Sequence, residues 1–167
     1  MFKSRPTMIA TFLMLTALVT ASIVMPSSPR ANAHCQVPCG IFDDEGRIDQ
    51  MREDAITIAK AIKLINELAV SQSPQDQNQL VRWVNTKETH ASHIITTISD
   101  YFLAQRIKPV DSSKGQAYTT YLNTLAAHHA VMVAAMKTKQ KTDSATVDVL
   151  SAAIEKIAPR YVHDHKH

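Results

Sequence analysis

Residues 49–71, DQMREDAITIAKAIKLINELAVS, decide the fold of this 167-residue chain. Met51, Ala55, Ile58, Ala59, Ile62, Ile65 and Ala69 recur at helical spacing and form one apolar stripe. A single stripe has to be buried against other elements, and the residues that follow supply them. Ser73-Pro74 reads as an N-cap followed by proline at the first helical position. A second helix then runs to about Leu103, with Leu80, Val84, Ala91, Ile94, Ile98 and Phe102 facing inward. Pro109 and the cluster Asp111, Ser112, Ser113 punctuate the next connection. A third helix carries Tyr118, Tyr121, Leu122, Leu125, His129, Met132 and Met136 on or near its stripe. Thr142, Asp143 and Ser144 offer a cap for a fourth helix with Val147, Leu150, Ala153, Ile154 and Ile157, which stops at Pro159. Residues 159–167 read as a polar tail. Four helices joined by short loops predict an all-α, antiparallel up-down four-helix bundle over about 49–158.

Composition agrees. The chain is 45% hydrophobic, which excludes wholesale disorder, and has only three glycines, which argues against a turn-dense β-sandwich. No internal repeat, low-complexity segment or strand pattern stands out. There is no P-loop, dinucleotide fingerprint, C-x-x-C-H haem site or His-Glu-x-x-His pair.

The formal net charge of +3 is unevenly placed. Residues 1–33 hold Lys3, Arg5 and Arg30 and no acid, so removing them leaves 15 basic residues against 15 acidic ones. Lys3 and Arg5 precede an uncharged apolar run from Met8 to Met25, which Pro26 and Pro29 break. Ala31-Asn32-Ala33 then forms an A-x-A signature, so 1–33 has the three-part pattern of a secretory signal peptide, cleaved after Ala33. An uncleaved anchor is the competing reading, since the run only reaches the lower length limit for a span. With the leader removed, the balanced charge gives no argument for nucleic-acid or membrane binding. The expected location is exported: periplasm, extracellular space or a thylakoid lumen.

Cleavage makes His34 the N-terminus, followed by Cys35, Gln36, Val37, Pro38, Cys39 and Gly40. Cys35 and Cys39 are the only cysteines. A disulfide is the plain reading for an exported chain, but it would close a very small loop and add little stability. The terminus also offers metal donors. The free α-amine has an ordinary pKa near 7.7–8.0. The Cys35 amide nitrogen lies between that amine and the Cys35 thiolate, and Cys39 can return a second sulfur. A planar set of two nitrogens and two sulfurs suits nickel(II) or copper(II), whereas zinc prefers a tetrahedron. The His34 imidazole remains as a fifth, axial donor. An exported disulfide-closed binding module and a copper-binding carrier are the alternatives to a redox enzyme.

The segment from His34 to Asp43 resembles the nickel hook of nickel-dependent superoxide dismutases, His-Cys-x-x-Pro-Cys-Gly-x-Tyr. The resemblance continues through Ser99-Asp100-Tyr101-Phe102 and the last two helices. It implies a nickel superoxide dismutase domain over 34–167, with the hook at 34–42. It implies a four-helix subunit in a homohexamer with one nickel ion per subunit, and superoxide as substrate. Nickel would alternate between +2 and +3. His34, Cys35 and Cys39 would be the ligands, and Tyr101 would complete the catalytic site.

Three positions depart from the family pattern. The hook tyrosine is Phe42, so Tyr101 is expected to carry more of the ordering of water or anion. The glutamate that orients the axial histidine falls on Asp49 or Gln50. Its backing arginine falls on Thr86, with Lys87 beside it as a source of local positive charge. Elsewhere, His90 and His93 lie at i, i+3 and read as surface or interface residues rather than ligands. The adjacent His128 and His129 point to different faces. His163, His165 and His167 belong to the solvated tail. Tyr118 and Tyr121 read as packing residues, and Met132 and Met136 as core.

Overall fold

The computed structural model describes residues 41–162. The leader, the hook donors His34, Cys35 and Cys39, and the tail histidines His163, His165 and His167 lie outside them.

Helix α1 spans Asp44–Leu68, starting five residues before position 49. The start signal is local. Asp43 accepts a hydrogen bond from the Gly46 backbone N–H at 2.9 Å, and Asp44 and Glu45 put acid in the first turn, where the helix dipole favours it. A Cβ at Gly46 would run into the Asp43 carboxyl group, so a larger residue there displaces the cap. Met51, Ala55, Ile58, Ile62 and Ile65 are buried as the stripe predicts. Ala59 and Ala69 are exposed, and Ala61 is buried instead. Each fully buried large side chain of the stripe contributes roughly 1.5–3 kcal/mol relative to exposure.

Helix α2 spans Pro74–Thr96, with Ser73 accepting from the Asp76 N–H at 3.0 Å. It continues without a break into a wider-wound π-helical segment, Thr97–Arg106. Burial there falls on Thr97, Ile98, Tyr101, Phe102 and Gln105. That repeat is four residues, longer than the 3.6 of an α-helix, and a widened turn keeps it on one face. The short turn Ser112–Lys114 and Gly115, at φ +51, lead into α3, Gln116–Gln140. Helix α4 spans Ala145–Ile157, and a last turn, Ala158–Arg160, follows it.

Helix α1 packs against α2 and α4, and α3 packs against α2 and α4, so the four helices close a ring around one core. Contacts between Asp44 and Arg106, Asp54 and His90, and Arg52 and Glu155 run in antiparallel register. This is the expected four-helix bundle. Among the described residues there is no strand, and no helix is long and apolar enough to cross a membrane.

Two polar side chains are locked into the helix contacts. The Asp54 carboxylate is 1% exposed and accepts from Nδ1 of both His90 and His93, at 2.7 and 2.6 Å. A carboxylate only accepts, so both rings donate through Nδ1. The two histidines tie α1 to α2 rather than standing free on the surface. Lys87 is also buried, and its Nζ donates to the carbonyls of Thr138 and Lys139 while pairing with Glu88. It satisfies the orphan carbonyls at the end of α3. Because α3 stops there, the earlier part of α2 lacks that neighbour. Leu80 is accordingly only half-buried and Val84 is exposed.

The stripe expected on α3 is displaced by about one residue. Its buried face is Thr124, His128, Val131, Ala134, Ala135 and Thr138, while Leu122, His129 and Met136 are exposed. Met132 is half-buried against the core, and Met136 is not core. This helix is apolar nearly all round, so periodicity leaves its rotation open and small residues allow the closer approach. Tyr118 and Tyr121 pack ring to ring at 6.2 Å. The tail is also corrected: Tyr161 is buried and donates its hydroxyl to Nε2 of His128 at 2.8 Å.

Candidate metal centre and its surroundings

Of the expected site residues, only Tyr101 lies in the described part of the chain, together with Phe42 at the end of the hook. The two are brought together, with ring centroids 6.0 Å apart and edge to face. Tyr101 is 1% exposed on the π-helical segment. Its hydroxyl donates to Oδ1 of Asp44 at 2.7 Å. Arg106, the last residue of that segment, forks onto the same carboxylate through Nε and Nη2, at 2.7 and 2.6 Å. The Arg106 guanidinium also lies 4.3 Å above the Phe42 ring, and that of Arg47 lies 5.2 Å from the Tyr101 ring centre. Asp44 thus ties the first turn of α1 to the end of the α2 continuation, beside the residue where the hook ends.

Burial first, and Asp44 second, push the Tyr101 phenol well above its ordinary value, so it stays protonated at neutral pH. The Arg106 guanidinium is held charged by its bonds to Asp44. A cleft of about 310 Å³ opens here, lined by Phe42, Asp43, Asp44, Glu45, Arg106 and Tyr161. Its acids outnumber its bases, so it is not a positive funnel.

The second set of contacts around the hook differs from expectation. Thr86 donates its hydroxyl to the Arg82 carbonyl. Lys87 is buried against the end of α3 and lies nineteen residues before Arg106, roughly 25 Å along the helix. Neither reaches this end of the bundle. Asp49 is instead paired with Arg52 at 2.8 Å, and Arg52 forks onto Glu155 through Nε and Nη2, both at 2.7 Å. Asp44, Arg47, Arg52 and Arg106 are absent from the sequence reading. The acidic run after Phe42 is a signal for Asp44, but Arg106 is 62 positions away and only folding joins them. Among the described residues, no group of three or more His, Cys, Asp or Glu is placed to hold a metal ion.

A four-helix bundle that follows a histidine and two cysteines in the sequence suits a small metalloprotein. The profile of the nickel-containing superoxide dismutases matches residues 29–165, and the chain belongs to that family. It is a nickel-containing oxidoreductase whose substrate is superoxide. No curated protein and no solved structure matches the chain.

Proposed function

We propose that dismutation takes place at the hook, with His34, Cys35 and Cys39 as the nickel ligands. Two superoxide ions and two protons become dioxygen and hydrogen peroxide. The observation that carries this reading is the family match over residues 29–165, a range in which every one of these donors falls. The donor chemistry fits the ion: the His34 amine, the Cys35 amide nitrogen and two thiolates suit a metal that prefers a plane. Nickel, when bound, supplies the one-electron redox chemistry by alternating between +2 and +3. The His34 imidazole would be a further nickel ligand. Tyr101 orders water or the oxygen species beside it, a role that Phe42 cannot share. Cys39 precedes Phe42 by three residues, a reach of at most about 10 Å, and Phe42 packs on Tyr101. Asp49, with Arg52 behind it, is the carboxylate that orients the histidine.

In this reading residues 1–33 are a secretory leader, and its removal creates the amine that binds the metal. The mature enzyme is exported, free of the membrane, and acts as a homohexamer. Exposed Leu122, Val133 and Met136 on α3 support assembly, which light scattering on the mature protein would measure. The deciding experiment compares natively processed protein with a form that retains Ala33. The first should begin at His34, hold about one nickel per subunit and consume superoxide; the second should not. Full activity with Ala33 in place would refute the ligand set.

A further inference from the structure

We infer that Asp44 is a positioning residue for the reaction. It accepts the hydrogen bond of the Tyr101 hydroxyl, so that Tyr101 meets its oxygen-containing partner as a hydrogen-bond acceptor and not as a donor. The inference rests on the reading that Tyr101 serves dismutation.

A phenol has one proton to donate, and that of Tyr101 points to Asp44 at 2.7 Å. The carboxylate is held in place by the two-pronged bond from Arg106. The same guanidinium packs on Phe42, which has no hydroxyl to compete for Tyr101. The Tyr101 ring is packed against Phe102 at 5.0 Å and covered by Arg47, so it cannot swing to another partner. What the hydroxyl offers is its lone pairs. Those accept from a neutral donor, water or hydrogen peroxide, and give nothing to the superoxide anion. Asp44 therefore fits Tyr101 to hold a neutral water or hydrogen peroxide molecule rather than to capture the anion.

The test is a double-mutant cycle on nickel-loaded mature protein, read as superoxide consumption and nickel per subunit. Asp44→Asn loses the charge and one of the two acceptor oxygens that Tyr101 and Arg106 share, which loosens the hold on the phenol hydrogen and is expected to slow turnover roughly three- to tenfold. The same substitution in a Tyr101→Phe background should change nothing further. Asp44→Glu, which keeps the carboxylate, should retain the wild-type rate and carries the test where Asp44→Asn fails to load nickel. Equal slowing in both backgrounds, no slowing by Asp44→Asn, or a slow nickel-loaded Asp44→Glu protein overturns the inference. A Tyr101→Phe enzyme at full rate instead removes Tyr101 from the reaction, and the role of Asp44 with it.

Discussion

Replacing Tyr161 with phenylalanine removes one oxygen from the bundle and should cost far more than its size suggests. The Tyr161 hydroxyl is 2.8 Å from Nε2 of His128, a residue with no exposure at all. Nδ1 of His128 is 2.8 Å from the Thr124 carbonyl, which can only accept, so Nδ1 carries the proton and Nε2 is the acceptor. Without the hydroxyl, a buried nitrogen lone pair is left with neither protein partner nor water. A lost neutral hydrogen bond is worth about 1 kcal/mol, and a stranded buried acceptor raises the total to about 2 kcal/mol. The ring stays packed on Phe102, at 4.5 Å between centroids, so no cavity adds to it. Urea denaturation should report that loss, and thermal unfolding a drop of roughly 5–10 °C. The double variant Tyr161→Phe, His128→Leu should recover part of it, since both polar partners are then gone. Burial lowers the basicity of His128, partly offset by the Thr124 carbonyl. Below about pH 6.5 the unfolded chain binds a proton that the native imidazole refuses, so this group makes stability fall as pH falls. A Tyr161→Phe loss below about 0.5 kcal/mol, or strict additivity with His128→Leu, would refute the reasoning.

Asp54→Asn should destabilise the bundle by about 2 kcal/mol in chemical denaturation, because His90 and His93 sit on different carboxylate oxygens and the amide puts an N–H₂ against one of them; a loss under about 0.5 kcal/mol would show that the displaced ring finds water instead. Gly46→Ala should lose about 1 kcal/mol by displacing the Asp43 cap, and Asp43→Ala in that background should add little. Glu155→Gln should cost less than about 1 kcal/mol, with the difference fading at high salt, because the Arg52–Glu155 pair is substantially exposed.

Much of the bundle is legible in sequence wherever polarity and period agree. The α1 stripe and the Ser73 cap need only local information, since a helix facing one core must repeat its apolar residues and an end must satisfy its own N–H groups. The Asp43 start was equally local, in the run Asp43-Asp44-Glu45-Gly46, but it lies before the apolar stripe and periodicity does not reach it. On α3 the same logic has no purchase. Ala126, Ala127, Ala130, Val131, Met132 and Val133 leave nearly every face apolar, and the helix turns to the rotation that seats His128 against Tyr161.

The metal chemistry is of the first kind. His34, Cys35 and Cys39 are close in sequence, and six consecutive residues can present a complete donor set without a fold, so the proposed hook, and the proposed cut that would free its amine, draw on the chain alone. The surroundings of Tyr101 are of the second kind. Asp44 and Arg106 meet across 62 positions, and Lys87, beside the place expected for an arginine, is buried against the end of α3. Which charge stands next to which hydroxyl depends on helix phase, helix length and crossing. Those are decided by how four stripes pack together, and only the tertiary structure contains that outcome.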